Sequence, residues 1–436
     1  MVTKPYCSLQ FNLVCTLTIR KSAAWIFTGR LVYAMCQWLI LVVVAKLSSP
    51  EVLGEFTLAL AVTAPIVIFS QLNTRAFVAT DAMSEYTFSD YLVLRIITTM
   101  LAVLVILFAS IAINLPYAAK ATLLGVALFK AFESISDIYY GWFQKQEKMK
   151  AIGLSAILHG VLSLSTVVVF MMVDGQISAA VYVIAALWFM TLIFYDARKQ
   201  PETSLPISSY SFNRMWQLTK ICLPLGFAML LVSLNINIPV YFVKAYLSTK
   251  EVGYFSAIVY FMFAGRLITG ALAQASAPRL SQYYAKGQRA LYSRLLLKLL
   301  VVGAILGLGG VGIALGFGQW LLTIAYGPDY GRFSDVFVWI MIAAGFSYLI
   351  NFLGVGLTVA RLFKAQLFLN LLSAFTVVIL SIVWIPANGL LGAGRALAGG
   401  IAIAFIANLS INIFVAKSFV GIRRQVAGNM DATFKE

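Results

Sequence analysis

The sequence predicts an all-α membrane protein of about twelve transmembrane helices, arranged as two halves of six. Three observations predict it. Of its 436 residues, 61% are hydrophobic and only 11% are charged, against about 25% charged in an ordinary soluble domain. So few charges cannot clothe a soluble surface of this size. The apolar residues fall in long runs, each near the roughly 20 residues that cross about 30 Å of hydrocarbon. Lys and Arg also segregate to alternate connections, as they do in polytopic proteins.

The runs are 24–47, 54–78, 92–114, 117–140, 151–173, 177–196, 217–243, 253–276, 296–318, 334–358, 365–386 and 389–416. With the N-terminus placed inside, only Lys46, Lys120, Lys244, Lys250, Arg332 and Arg395 fall outside, and Arg30, Lys130 and Arg266 fall within spans. The rest of the 32 Lys and Arg collect inside, which sets both termini on the cytoplasmic side. Residues 1–22 mix Lys4, Asn12, Arg20 and Lys21 with short apolar stretches and do not read as a cleavable signal peptide. The connection from about 319 to 333 is the longest expected outside. The longest inside carries Pro201, Pro206 and a Ser/Thr cluster, the composition of a linker. The expected organisation is therefore a six-helix unit at 1–196, a cytoplasmic linker at 197–216, a second six-helix unit at 217–418 and a tail at 419–436.

The halves look alike. LSSPEVLGEFTLA at 47–59 follows the first span, and LSTKEVGYFSA at 247–257 follows the seventh. Six spans separate these copies, so the halves read as parallel repeats related by an axis along the membrane normal. Repeats that rock against each other are the physical basis of alternating access.

Several functional classes have little material. The net charge of +16 has a membrane explanation in the cytoplasmic loops and does not call for nucleic acid. Cys7, Cys15, Cys36 and Cys222 form no C-x-x-C pair, so neither a disulfide framework nor a zinc site is expected. His159 is the single histidine and is expected to pack within span five. No G-x-x-x-x-G-K-[ST] loop occurs, which argues against ATP-driven transport by this chain, and no cofactor is expected.

Charge inside the spans is the main functional clue. An ionised side chain at the bilayer centre costs about 3 kcal/mol or more on insertion scales, so it faces a wet cavity or a partner. Arg30 in span one, Arg75 near the end of span two and Arg266 in span eight are candidates for an anion clamp, and Arg361 after span ten is a further one. The planar guanidinium keeps its charge and suits phosphate oxygens. Snorkelling or a structural ion pair is the plainer reading, strongest for Arg75 and Arg361 at span ends. Span four sets Lys130, Glu133 and Asp137 on one helix face, with Lys130 and Glu133 able to pair. That face is either a cation- or proton-coupling site or a neutralised structural group. Asn235, Asn237 and Pro239 in span seven mark a bend and part of the path, or helix-packing polar groups. Glycines crowd span nine (Gly303, Gly307, Gly309, Gly310, Gly312, Gly316, Gly318) and span twelve (Gly399, Gly400), for close packing or gating.

The ordered motifs carry a family resemblance. They are L-x-x-x-E-V-L-G-E-F at 47–56, F-Q-K-Q-E-K-M-K at 143–150, E-V-G-Y-F-S-A at 251–257, A-P-R-L-S-Q-Y-Y-A-K-G at 277–287 and Y-G-P-D-Y at 326–330. In this order along the spans, the chain resembles the O-antigen flippases of the polysaccharide transporter family, in the superfamily that also holds multidrug exporters and the lipid II flippase. The resemblance implies two six-helix lobes around a central cavity. It implies a bacterial inner-membrane protein that moves an undecaprenyl-pyrophosphate-linked O-antigen unit to the periplasmic leaflet by alternating access, and no bond chemistry. It implies that Arg30, Arg75 and Arg266 line the cavity, with membrane lipids around it and an O-antigen polymerase and chain-length regulator as partners. The rivals are a cation-coupled multidrug antiporter of the same superfamily and a membrane glycan polymerase. The former wants free carboxylates and the latter polar catalytic loops outside.

Overall fold

The computed structural model describes residues 6–81, 86–112, 116–173, 175–199 and 212–433, with side chains from Ala24 to Val415. Every regular element among them is helical. The chain forms two compact units, Met1–Ser233 and Leu234–Glu436. The first unit's helices are α1 (Tyr6–Leu47), α2 (Pro50–Ser70), α3 (Thr74–Thr80), α4 (Phe88–Ala112), α5 (Tyr117–Lys145), α6 (Met149–Val173) and α7 (Ile177–Thr191). Helix α8 (Phe212–Tyr246) crosses the boundary. The second unit continues through α9 (Thr249–Ala285), α10 (Arg289–Tyr326), α11 (Pro328–Gly331), α12 (Ser334–Val359) and α13 (Phe363–Thr433). The expected linker at 197–216 falls largely outside the described residues.

Among the described residues, ten stretches are long and apolar enough to cross a membrane. That set leaves out α5, because Lys130, Glu133 and Asp137 interrupt it, and it takes α13 as a single stretch. Helix α13 nonetheless turns back on itself. Pro386 withdraws a backbone donor, and Gly389 adopts φ 59°, which glycine tolerates without a Cβ penalty. Beyond the turn, Gly400 lies against Val377, Gly399 against Leu380 and Gly392 against Trp384. The two arms are therefore antiparallel.

The repeated segments are helix starts. Ser49 Oγ accepts from Val52 N at 3.5 Å, and Ser248 Oγ accepts from Glu251 N at 3.3 Å. Each satisfies one of the orphan donors of a helix N-terminus. Counting from the caps pairs Leu53 with Val252, Gly54 with Gly253 and Phe56 with Phe255, all buried. The one-residue offset between the copies thus precedes the serine.

Glycine sets the close crossings. A Cβ on Gly29 would lie 2.6 Å from the Gly153 backbone, and one on Gly153 would lie 2.5 Å from Trp25 O, so α1 and α6 touch backbone to backbone. In the second unit, Gly303, Gly307, Gly310 and Gly318 meet Phe352, Gly345, Met341 and Phe337 in turn along α12. Gly309, Gly312 and Gly316 face open space. Part of the glycine run of span nine is thus a packing seam.

Two boundaries differ from expectation. Span two does not run on to residue 78. Leu72 (φ 48°) and Asn73 (φ 52°) take left-handed conformations that end α2 at Ser70, and the chain restarts as α3. The connection at 319–333, expected outside, is mostly helix, because α10 runs on to Tyr326 and α11 follows.

Candidate functional site

The first unit holds a cavity of about 340 Å³ whose polar lining comes from α1 (Arg30, Tyr33), the end of α2 (Gln71), α3 (Arg75), α5 (Lys130, Glu133, Asp137, Tyr140) and α6 (His159). Trp188 of α7 closes one wall. The break after α2 is what positions Arg75. It places that residue on a separate short helix lying against α5, where a Cβ on Gly141 would meet Arg75 O at 3.0 Å.

The charges form two groups on one face of α5. Arg75 Nη1 donates to Asp137 Oδ1 at 2.8 Å, and Arg95 Nη2 lies 3.5 Å from Asp137 Oδ2. Arg95 of α4 is 1% exposed and is held by Thr74 Oγ1 at 2.7 Å and Ser134 Oγ at 3.2 Å. One turn away, Lys130 Nζ donates to Glu133 Oε2 at 2.6 Å and Tyr33 Oη donates to Glu133 Oε1 at 3.0 Å. Arg30 is exposed and, among the described residues, enters no ion pair. The carboxylates lining this cavity are therefore both engaged by cations, and the cationic excess is presented by Arg30. Such a wall attracts an anion, and guanidinium groups grip phosphate oxygens in a bidentate fork.

An aromatic and hydroxyl network stiffens the wall behind. The His159 ring stacks on Trp188 at 4.1 Å, its Nδ1 is 3.2 Å from Tyr140 Oη, and Tyr140 Oη is 2.8 Å from Ser155 Oγ. Trp188 Nε1 donates to Ser163 Oγ at 2.9 Å. The guanidinium of Arg75 lies 5.6 Å from the Tyr140 ring centroid.

The other candidates lie in the second unit. Arg266 on α9 is half-buried, 5.8 Å from the Phe263 ring centroid, and enters no ion pair among the described residues. Beside it, Gly265 leaves room for Tyr348, whose hydroxyl donates to Met262 O at 3.0 Å. Arg361 is exposed at φ 58° between α12 and α13. Asn235 Nδ2 donates to Asn370 O at 3.2 Å, while its buried Oδ1 has no partner. Helix α8 remains helical through Asn237 and Pro239. Sequence reasoning missed Arg95, which reads as one more inside-end arginine. The only hint was Thr99 one turn on in α4, with Ser134 within reach in α5. The Asp137 carboxylate bridges two arginines, Arg75 and Arg95.

This is the fold of a membrane transporter superfamily. An inward-facing multidrug exporter of the MATE family superposes with a TM-score of 0.68 at 12% identity, over 89% of this chain and 96% of that one. The lipid II flippase MurJ superposes with a TM-score of 0.71 at 14% identity, over 90% and 89%. A transporter of the same superfamily from Pyrococcus furiosus, described as having a binding pocket of reversed polarity, gives 0.61 at 13% identity, over 92% and 96%. Residues 19–284 match the polysaccharide biosynthesis protein family, and the chain belongs to that family. The capsular polysaccharide biosynthesis protein CapF of Staphylococcus aureus is 26% identical over 385 residues, 86% of this chain and 94% of that protein. The chain thus joins a polysaccharide biosynthesis family to a fold it shares with membrane transporters.

Proposed function

We propose that the protein is a flippase for a lipid-linked oligosaccharide, carrying an undecaprenyl-pyrophosphate-linked O-antigen unit from the cytoplasmic to the periplasmic leaflet of a bacterial inner membrane by alternating access. The observation that carries this reading is the cationic cavity wall, with Arg30 in no ion pair among the described residues and Arg75 held by a carboxylate that Arg95 also holds. Arg30 takes the pyrophosphate. Arg75 exchanges Asp137 for phosphate oxygens while Arg95 retains the carboxylate. Arg266, which enters no ion pair among the described residues, belongs in the same substitution series, with Lys130 and Arg361. The Lys and Arg distribution favours cytoplasmic termini. A polymerase and a chain-length regulator are the partners this function calls for.

The membrane potential suffices as the driving force. A potential of 100 mV, negative inside, favours outward movement of each negative charge by about 2.3 kcal/mol, so two phosphate charges crossing fully gain about 4.6 kcal/mol. The same field returns the emptied cationic site inward. A cationic-drug antiporter fits less well, because Glu133 and Asp137 are already engaged by Lys130 and by Arg75 and Arg95.

The test is reconstitution in liposomes with a labelled polyprenyl-pyrophosphate oligosaccharide on one leaflet. Its appearance on the other leaflet, faster under an imposed potential, is the expected result. A folded protein that flips none of a panel of such glycans but moves cationic drugs would replace this reading with the antiporter.

A further inference from the structure

A second cavity, of about 560 Å³, opens on the second unit between the end of α10 and the start of α12. Glycine holds its floor together. A Cβ on Gly318 of α10 would lie 3.4 Å from the Phe337 ring of α12, and one on Gly331 of α11 would lie 2.5 Å from Thr323 Oγ1 of α10. Two kinds of surface line the space. Leu315 and Phe317 are 70% and 64% exposed, and they continue an apolar exposed face that runs along α10 through Ile305, Leu308 and Ile313. On a membrane-spanning helix such a face meets lipid chains. The cavity lies where that apolar run ends. Trp320 stands at the border, the position that indole rings favour at a membrane–water interface. The rest of the lining is polar, from Gln319, Ser334 and Asp335. Among the described residues, no hydrogen bond or ion pair engages the side chains of Gln319, Trp320, Ser334 or Asp335.

Charge decides what fits. Asp335 is the charged residue of this lining, so the cavity is anionic. Arg332, close in sequence, does not neutralise it. Its Nη2 donates to Tyr254 Oη at 3.2 Å, and its guanidinium lies over the Tyr254 and Phe333 rings. An occupant therefore has an apolar part for the α10 face and a cationic part for Asp335. The Asp335 carboxylate, Ser334 Oγ and Gln319 Oε1 all accept hydrogen bonds, and an ammonium has three protons to give. A quaternary ammonium has none, and a purely anionic headgroup is repelled. We propose that this cavity binds a membrane phospholipid with a primary-amine headgroup, of the phosphatidylethanolamine class. Its ammonium sits on Asp335, the Trp320 indole N–H donates to its phosphate, and its acyl chains lie along Leu315 and Phe317. The site is separate from the cavity that holds Arg30 and does not rest on the flippase reading.

The test titrates the full chain, delipidated in detergent, with phosphatidylethanolamine, phosphatidylcholine and phosphatidylglycerol of matched acyl chains, and counts bound lipid by native mass spectrometry. The wild type is expected to bind phosphatidylethanolamine roughly tenfold tighter than phosphatidylcholine, which lacks the charge-assisted hydrogen bonds, and tighter still than phosphatidylglycerol. Asp335→Asn keeps the shape and removes the charge at an exposed position, so it should fold and bind the first two lipids alike. Gly316 also lines the cavity, and a Cβ there meets nothing within 4 Å. Gly316→Leu should therefore keep the wild-type Tm, fill the space and lose the preference as well. Equal binding of the three lipids by the wild type overturns the proposal. A preference for phosphatidylethanolamine that survives Asp335→Asn or Gly316→Leu places that lipid elsewhere on the protein and overturns it too.

Discussion

Replacing Asp137 with Asn tests the electrostatic frame of the cavity wall. The substitution keeps the shape of the side chain and removes the charge between Arg75 and Arg95. Arg95 is 1% exposed, and Asp137 at 3.5 Å is its counter-charge. Breaking a buried pair from one side costs about 3–5 kcal/mol, because the remaining charge is left without compensation. Arg75 and Asp137 are each 22% exposed, so water reaches part of the group and the lower end applies, about 3 kcal/mol. If that cost comes from a stranded guanidinium, removing it as well should recover part of the loss. Arg95→Met/Asp137→Asn should therefore be more stable than Asp137→Asn alone by about 1–2 kcal/mol, and the coupling energy of the cycle, which also contains the cost of Arg95→Met alone, should exceed that figure. The assay is unfolding in mixed detergent micelles across the double-mutant cycle. Costs that simply add, to within about 0.5 kcal/mol, would refute the reasoning.

Two other perturbations follow. Glu133→Gln should leave potential-driven flipping within about twofold of wild type, since the field alone drives cycling; abolished flipping with folding and substrate binding intact would sink the potential-only account. Gly307→Leu should destabilise by about 2–3 kcal/mol, because its Cβ would sit 2.6 Å from Gly345 Cα and overpacking against backbone has no cheap relief. Gly312→Leu, on the open face of the same helix, should stay within about 0.5 kcal/mol of wild type, and melting the two variants side by side distinguishes a packing seam from a gate.

The spans were legible because bilayer thickness imposes a length and an apolar composition that no neighbouring contact overrides. The Lys130–Glu133 pair was legible for a similar reason, since i,i+3 spacing alone brings the side chains together. The break at Leu72–Asn73 was not, because the apolar run continues across it and only Asn73 hints at a left-handed residue. That break decides where Arg75 points, so the site was harder to read than the fold. Arg95 was hidden for another reason. It sits near a span end, where charged residues ordinarily reach solvent, and only the packing of α3 and α5 shows that it is buried. The turn at Gly389 was legible as the break between the runs 365–386 and 389–416.

The central claim is that Arg30 engages the pyrophosphate of the substrate. A charge-assisted hydrogen bond to phosphate contributes about 1.5–3 kcal/mol, so its loss should slow flipping roughly 10- to 150-fold. The decisive measurement compares potential-driven flipping of a labelled polyprenyl-pyrophosphate oligosaccharide by the wild type, Arg30→Gln and Arg332→Gln, all shown to be folded by their Tm. The account predicts that Arg30→Gln loses flipping by that factor while Arg332→Gln, between α11 and α12, stays near wild type. Flipping by Arg30→Gln at the wild-type rate would contradict it.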